Sequence, residues 1–245
     1  MSIVDYTNIL GFVIPALRQA QDKLTYGQTG VQFNKNAGFR VKPGMTALFI
    51  FLLFAALALP CSAYAEKNIL VFGDSLSAGY GIAVEKSWVS LMKQDLKGSH
   101  PKYSIVNASI SGETTAGGRQ RIAKTLKQHR PSILIVELGA NDGLRGIPIK
   151  DIEANLDFII WQAKNAGAKV LLAGMRLPPN YGETYVTQFQ NIYPRLAKQH
   201  RIRLLPFLLD GVPPGQFQAD NLHPSAEAQP HIMRTVLLEL KHLLH

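Results

Sequence analysis

The chain has 245 residues, 47% of them hydrophobic and 18% charged, with a formal net charge of +9. This balance excludes a disordered, collagen-like or disulfide-dense chain and suits a globular protein with one sizeable core. The basic residues are scattered, with no Arg-rich helix and no aromatic–basic interleaving, which argues against nucleic acid as a partner.

Residues 1–40 are polar and carry no sustained hydrophobic periodicity. Ala47–Leu59 then supplies thirteen consecutive apolar residues. That run is short of the roughly 20 needed to cross a bilayer as a helix, and matches the roughly 7–15 of a secretory signal. Arg40 and Lys42 precede it, and Ala63-Tyr64-Ala65 follows with small residues where a signal peptidase reads them. The expected organisation is a leader of doubtful standing over 1–40, a signal peptide over 41–65 cleaved after Ala65, and one domain over 66–245. Translation is expected to begin at Val41 from a non-standard start codon. The mature domain would be periplasmic or secreted, with no stable membrane anchor after cleavage.

Cys61, the only cysteine, lies inside the signal segment. Pro60 stands where a lipoprotein signal carries a small residue, so lipid attachment is not expected. A chain starting at Glu66 has no thiol and no disulfide, and 21 basic against 15 acidic residues leave it at +6. Its 180 residues are enough for a core that needs no cross-link.

From Asn68 onward short apolar runs alternate with amphipathic stretches. The runs Ile69–Phe72, Tyr103–Asn107, Ile133–Leu138, Val170–Ala173 and Ile202–Leu205 read as strands buried on both faces. Helical patterns lie near 84–97, 114–129, 151–166, 183–200 and 225–243. Helix-length crossovers imply one doubly wound α/β domain with a five-stranded parallel sheet. In such a sheet the loops after the strands line the ligand crevice. Here they begin at Gly73, Ala108, Gly139, Gly174 and Pro206.

The loop contents carry the functional reading. Gly73-Asp-Ser75-Leu ends the first strand, Ser111-Gly112-Glu-Thr follows the second, Gly139-Ala-Asn141-Asp142 follows the third, and Asp220-Asn-Leu-His223-Pro precedes the last helix. Each has a plain account: Ser75 as a helix cap, Gly112 and Asn141-Asp142-Gly143 as turns, His223 as a helix-entry residue. Together they supply what acyl transfer by a serine requires. Ser75 needs a base, and His223 is the candidate, with Asp220 three residues earlier to hold its tautomer. The oxyanion needs donors, which the N–H groups of Ser75 and Gly112 and the amide of Asn141 can supply. The nucleophile elbow G-x-S-x-G is absent, so the serine is presented in another way.

Gly79-Tyr-Gly81 lacks the third glycine of a nucleotide loop, and no spacing of His, Asp or Glu suits a metal. Asp74 and Asp142 read as cap and turn residues rather than proton carriers. Trp88 and Trp161, both on amphipathic patterns, are expected in the core.

The blocks GDSL, SGET, GAND and DNLHP, in that order, resemble the SGNH (GDSL) hydrolase superfamily. NASISGETT, VELGANDGLRG, RLPPNYG and ADNLHPSAEAQP are closest to its bacterial periplasmic thioesterase I, arylesterase and lysophospholipase group. The resemblance spans Asn68 to the last helix. It implies a flavodoxin-like three-layer α/β/α sandwich, Ser75 as nucleophile with Asp220 and His223, and an oxyanion hole of Ser75, Gly112 and Asn141. No cofactor or metal is implied.

The expected activity is therefore hydrolysis of small acyl esters and acyl thioesters, lysophospholipids among the candidate substrates, by a monomer. Leu144, Ile147, Leu177 and Pro178 form the expected apolar substrate wall. An O-acetylesterase acting on carbohydrate or cell-wall glycan would share the chemistry and need a polar, aromatic crevice instead. A non-catalytic binding module is disfavoured because every catalytic position is intact.

Overall fold

The computed structural model describes residues 67–244. The leader, the signal segment, Cys61 and the cleavage site after Ala65 lie outside the described residues. Five strands run β1 Lys67–Gly73, β2 Tyr103–Asn107, β3 Ile133–Glu137, β4 Lys169–Ala173 and β5 Arg203–Leu205. All are parallel, in the order β2-β1-β3-β4-β5. The helices are α1 Ser75–Ala78, α2 Trp88–Ser99, α3 Thr115–His129, α4 Ala140–Leu144, α5 Ile149–Asn165, α6 Glu183–His200 and α7 Gln229–Leu240. Helices α2 and α7 pack on each other, as do α3, α5 and α6, which gives the two helical layers of an α/β/α sandwich.

The strands are apolar because both faces are covered. Ile69 through Phe72 on β1 and Leu134 and Val136 on β3 have no exposed surface. Side-chain caps set several helix starts. Ser87 accepts from the Ser90 N–H at the start of α2, and Thr114 from the Gly117 N–H at the start of α3. Basic side chains fill the last turns of α3 and α6, where the helix dipole favours them.

The sheet order creates the crevice. β1 hands the chain to β2 on one side, while β3 lies on the other, so the loops after β1 and β3 part at a topological switch point. Ser75 follows one of these strands and Asn141 the other.

Several boundaries differ from the sequence reading, and Leu138, expected in the third strand, falls just beyond the end of β3. The helix expected from residue 84 begins as a 3₁₀ turn, Val84–Lys86, and becomes α-helical only after the Ser87 cap. The final helix is likewise framed by 3₁₀ turns, Ala226–Ala228 and Lys241–Leu243. Ile202 falls short of β5, because its N–H still closes the end of α6 on the Ala197 carbonyl. The short helices α1 and α4 were not anticipated, since four or five residues are too few to show a helical period.

Trp88 is fully buried, but Trp161 is 51% exposed and sits beside Phe158 on the outer face of α5. The core expectation for Trp161 is therefore wrong. Ile135→Ala, at the centre of the middle strand, should cost about 2–5 kcal/mol in urea unfolding. Trp161→Ala should stay within about 0.5 kcal/mol of the parent protein.

Candidate active site

Ser75 does not cap a helix. Asp74 does: its Oδ1 accepts from the Leu76 N–H at 3.0 Å and closes the N-terminus of α1. Relieved of capping, the Ser75 hydroxyl lies 2.8 Å from Nε2 of His223. Its separation from Asp74 Oδ1, 3.5 Å, is too long to compete. A turn of only four residues, ended at Gly79, thus presents the serine at the carboxyl end of β1.

His223 arrives from the far end of the chain on a self-bonded loop. Asp220 Oδ2 stands 2.6 Å from His223 Nδ1, while Asp220 Oδ1 accepts from the N–H groups of Leu222 and His223. A tautomer with the proton on Nδ1 satisfies both ring contacts. The backbone hydrogen bond from His223, then that from Leu222, lowers the Asp220 carboxyl from its ordinary value to about 2. Asn221 takes the left-handed conformation, φ 56°, that lets the turn close.

Two residues that sequence reasoning missed hold this loop. The Gln218 side-chain amide donates to the carbonyls of Tyr80 and Pro224, and the Gln218 N–H donates to the His223 carbonyl at 2.7 Å. The Tyr80 ring stacks 4.6 Å from the His223 ring. No spacing in the sequence could announce a contact 138 residues long.

The candidate oxyanion donors come from three strand ends. Asn141 opens the helix after β3 and donates one amide N–H to Asp74 Oδ2 at 3.0 Å, which leaves its second N–H for a ligand. Neither the Ser75 nor the Gly112 N–H has an acceptor among the described residues. Gly112 has φ +79°, and nothing lies within 4 Å of where its Cβ would be. The glycine is needed for its backbone angle, not for a close approach of protein. It is exposed on the loop after β2, outside the pocket lining, with its carbonyl held by Arg145. Asp142 is a clamp: its two oxygens accept from the Thr115 hydroxyl at 2.6 Å and the Thr115 N–H at 2.8 Å, tying α4 to the start of α3.

A pocket opens beside Ser75, Asn141 and His223. Leu144, Leu177 and Pro178 line it as expected, and Ile147 does not. Ile147 packs against the core and its carbonyl accepts from the Tyr185 hydroxyl at 2.7 Å. Met175, Phe207 and Leu209, from the loops after β4 and β5, complete the apolar wall. Among the described residues no group of three or more His, Cys, Asp or Glu is arranged to hold a metal.

The Asp220 geometry has a pH consequence. A folded-state value of about 2 means that its contacts are present above the ordinary carboxylate range and are lost only as pH falls through about 2. The Asp220 carboxyl ¹³C resonance should therefore show no titration step between about pH 4 and pH 9.

The GDSL-like lipase/acylhydrolase family model matches residues 71–229, a span that holds all five candidate catalytic and oxyanion residues. The chain is similar to the arylesterase of Vibrio mimicus, 45% identical over 202 residues that cover 81% of this chain and 100% of that one. It is 41% identical over 199 residues to thioesterase 1/protease 1/lysophospholipase L1 of Escherichia coli K12, covering 80% of this chain and 92% of that one. The crystal structure of TesA superposes with a TM-score of 0.71 at 43% identity, over 73% of this chain and 100% of that one. Identity at this level, over nearly the full length of each relative and on the same sheet, makes the chain a member of the GDSL-like lipase/acylhydrolase family, whose members hydrolyse ester bonds.

Proposed function

We propose that the chain is an exported esterase and thioesterase that cleaves acyl esters, acyl thioesters and lysophospholipids through an acyl-enzyme on Ser75. The observation that carries this reading is the Ser75–His223–Asp220 relay, 2.8 and 2.6 Å long, at the mouth of an apolar pocket. Ser75 Oγ attacks the acyl carbon and passes its proton to His223 Nε2. Asp220 steadies the imidazolium that results. The N–H groups of Ser75 and Gly112 and the free N–H of Asn141 receive the oxyanion. Collapse expels the alcohol or thiol, which takes the proton from His223. Water then attacks the acyl-enzyme, with His223 again as base, and releases the acid. The cycle needs neither metal nor cofactor.

Export rests on the signal-like segment before Glu66. The match to the Vibrio arylesterase takes in 81% of the chain, more than residues 66–245 supply, so it reaches back into that segment. This supports reading the segment as a shared part of such proteins. A fluorophosphonate probe applied to the cell-envelope fraction should give one adduct, on Ser75, in a chain beginning at Glu66. Ser75→Ala should lose the adduct and the activity, and Asn141→Ala should lower turnover by about 10²–10³. Hydrolysis undiminished in Ser75→Ala would sink the mechanism; a labelled chain still carrying residues 41–65 would sink the export reading.

The pocket wall favours an acyl chain over a sugar, since Leu144, Phe207 and Leu209 offer a saccharide almost no hydrogen bonds. Each methylene buried there contributes about 0.8 kcal/mol, or about fourfold in kcat/KM. Esters of rising chain length should improve until the pocket is full. Leu209→Ser should flatten that trend and leave acetyl esters nearly unchanged. Equal losses on both would point instead to an O-acetylesterase whose specificity lies elsewhere.

A further inference from the structure

Behind the serine lies a second carboxyl that the cycle above does not use. Glu137 ends β3 and has no exposed surface, and Asp74, which it faces from β3, has none either. Glu137 Oε2 accepts from the Ser77 hydroxyl at 2.6 Å and from the Asp74 N–H at 3.1 Å. A Cβ on Gly73 would collide with that same oxygen, so the glycine admits the carboxyl to this place. The other oxygen, Oε1, is buried without a donor. Two adjacent buried carboxylates with no cation between them would repel strongly in a low-dielectric interior. The ion pairs among the described residues engage neither of them.

The groups around the pair supply no fixed positive charge. Asp142 comes from α4, and the Tyr193 hydroxyl from α6 donates to the Leu138 carbonyl. His223, on the loop before α7, can become cationic and then lowers Asp74. Burial first, then the charge of Asp74, pushes the Glu137 carboxyl well above the carboxylate range. Burial raises Asp74 to about 6, opposed by its bonds from Leu76 and Asn141.

We propose that Glu137 is a positioning residue that stays protonated at neutral pH and donates from Oε1 to the Asp74 carboxylate. The bond fixes Asp74 as the acceptor that caps α1 and holds the Asn141 amide, so Glu137 acts on the reaction through Asp74 and Asn141. Its catalytic consequence rests on the reading of Asn141 as an oxyanion donor; its protonation does not.

Glu137→Gln is the decisive variant, because a primary amide reproduces both faces of a protonated carboxyl. Its oxygen accepts from Ser77 and Asp74 N–H, and its nitrogen donates to Asp74. Infrared difference spectra at pH 7 should show a protonated-carboxyl carbonyl band in the parent protein that is absent from Glu137→Gln. Unfolding supplies a second readout. Between about 4.3 and the raised value, the folded protein holds a proton that the unfolded chain has released. The parent should therefore lose stability relative to Glu137→Gln as pH rises through that window. On an ester substrate the parent should lose kcat as Glu137 deprotonates at alkaline pH, whereas Glu137→Gln should keep kcat within about threefold at pH 7 and lack that fall. Glu137→Leu, which leaves Asp74 without its donor, should lower kcat by about 10²-fold with KM nearly unchanged. Absence of the infrared band, or parallel stability profiles for parent and Glu137→Gln, would overturn the protonation. If both hold and Asn141→Ala is nevertheless fully active, the oxyanion reading fails and the proton assignment survives. Glu137→Gln as impaired as Glu137→Leu would overturn the positioning role.

Discussion

The carboxylate of Asp74 is the constraint around which the site is organised. It is fully buried, and both of its oxygens are engaged within the protein. One closes the first turn of α1, which frees the neighbouring serine hydroxyl from capping. The other takes one amide proton of Asn141, which orients that side chain from across the switch point. The loops that leave two neighbouring strand ends are thereby tied together by a single side chain. A serine whose aspartate neighbour pointed to solvent would be drawn into capping its own helix.

The two halves of the site are held by different physics. The Ser75 and Asn141 side is built on β1 and β3, whose apolar strands are covered on both faces, and on clamps such as Asp142 to Thr115 that burial makes costly to break. The His223 side is a surface loop. Its Asp220 side chain remains 39% exposed, where an ion pair by itself contributes only about 0–1 kcal/mol. The loop keeps its shape through backbone hydrogen bonds instead: two N–H groups on Asp220, Gln218 on His223, and the bridge between Phe217 and Pro224. The Gln218 bonds to Tyr80 and Pro224 then dock it on the turn after α1. A rigid floor with a docked loop brings the His223 imidazole to the Ser75 hydroxyl without burying Asp220.

Much of this architecture was legible in the linear chain because parallel strands covered on both faces must be continuous apolar runs. The runs at 69–72, 103–107 and 170–173 fall within the observed strands for that reason, and the helix-length gaps between them imply the crossovers. Elements with fewer than two turns left no trace. Helices α1 and α4 are set by Asp74, by the left-handed glycines at 79 and 139, and by contacts across the sheet, none of which has a period. Trp161 shows the converse failure. An aromatic residue on an amphipathic pattern was read as core, yet its ring lies on the outer face of α5 beside Phe158.

Sequence alone determined the sites of the strands to within a residue or two, the order of the blocks and the candidate residues of the site: a serine, a histidine with an aspartate three residues before it, and an asparagine at a strand end. These follow from local composition and spacing, which a linear chain carries in full. Which apolar residues face the pocket was decided only in three dimensions. Ile147 and Leu144 are three residues apart and both pack against the core, but only Leu144 also lines the pocket. The contacts of Asp74, Glu137, Gln218 and Tyr80 were likewise set by folding. Each meets a partner tens of residues away in the chain, and the proximity that makes such a contact exists only once the sheet has brought the strand ends together.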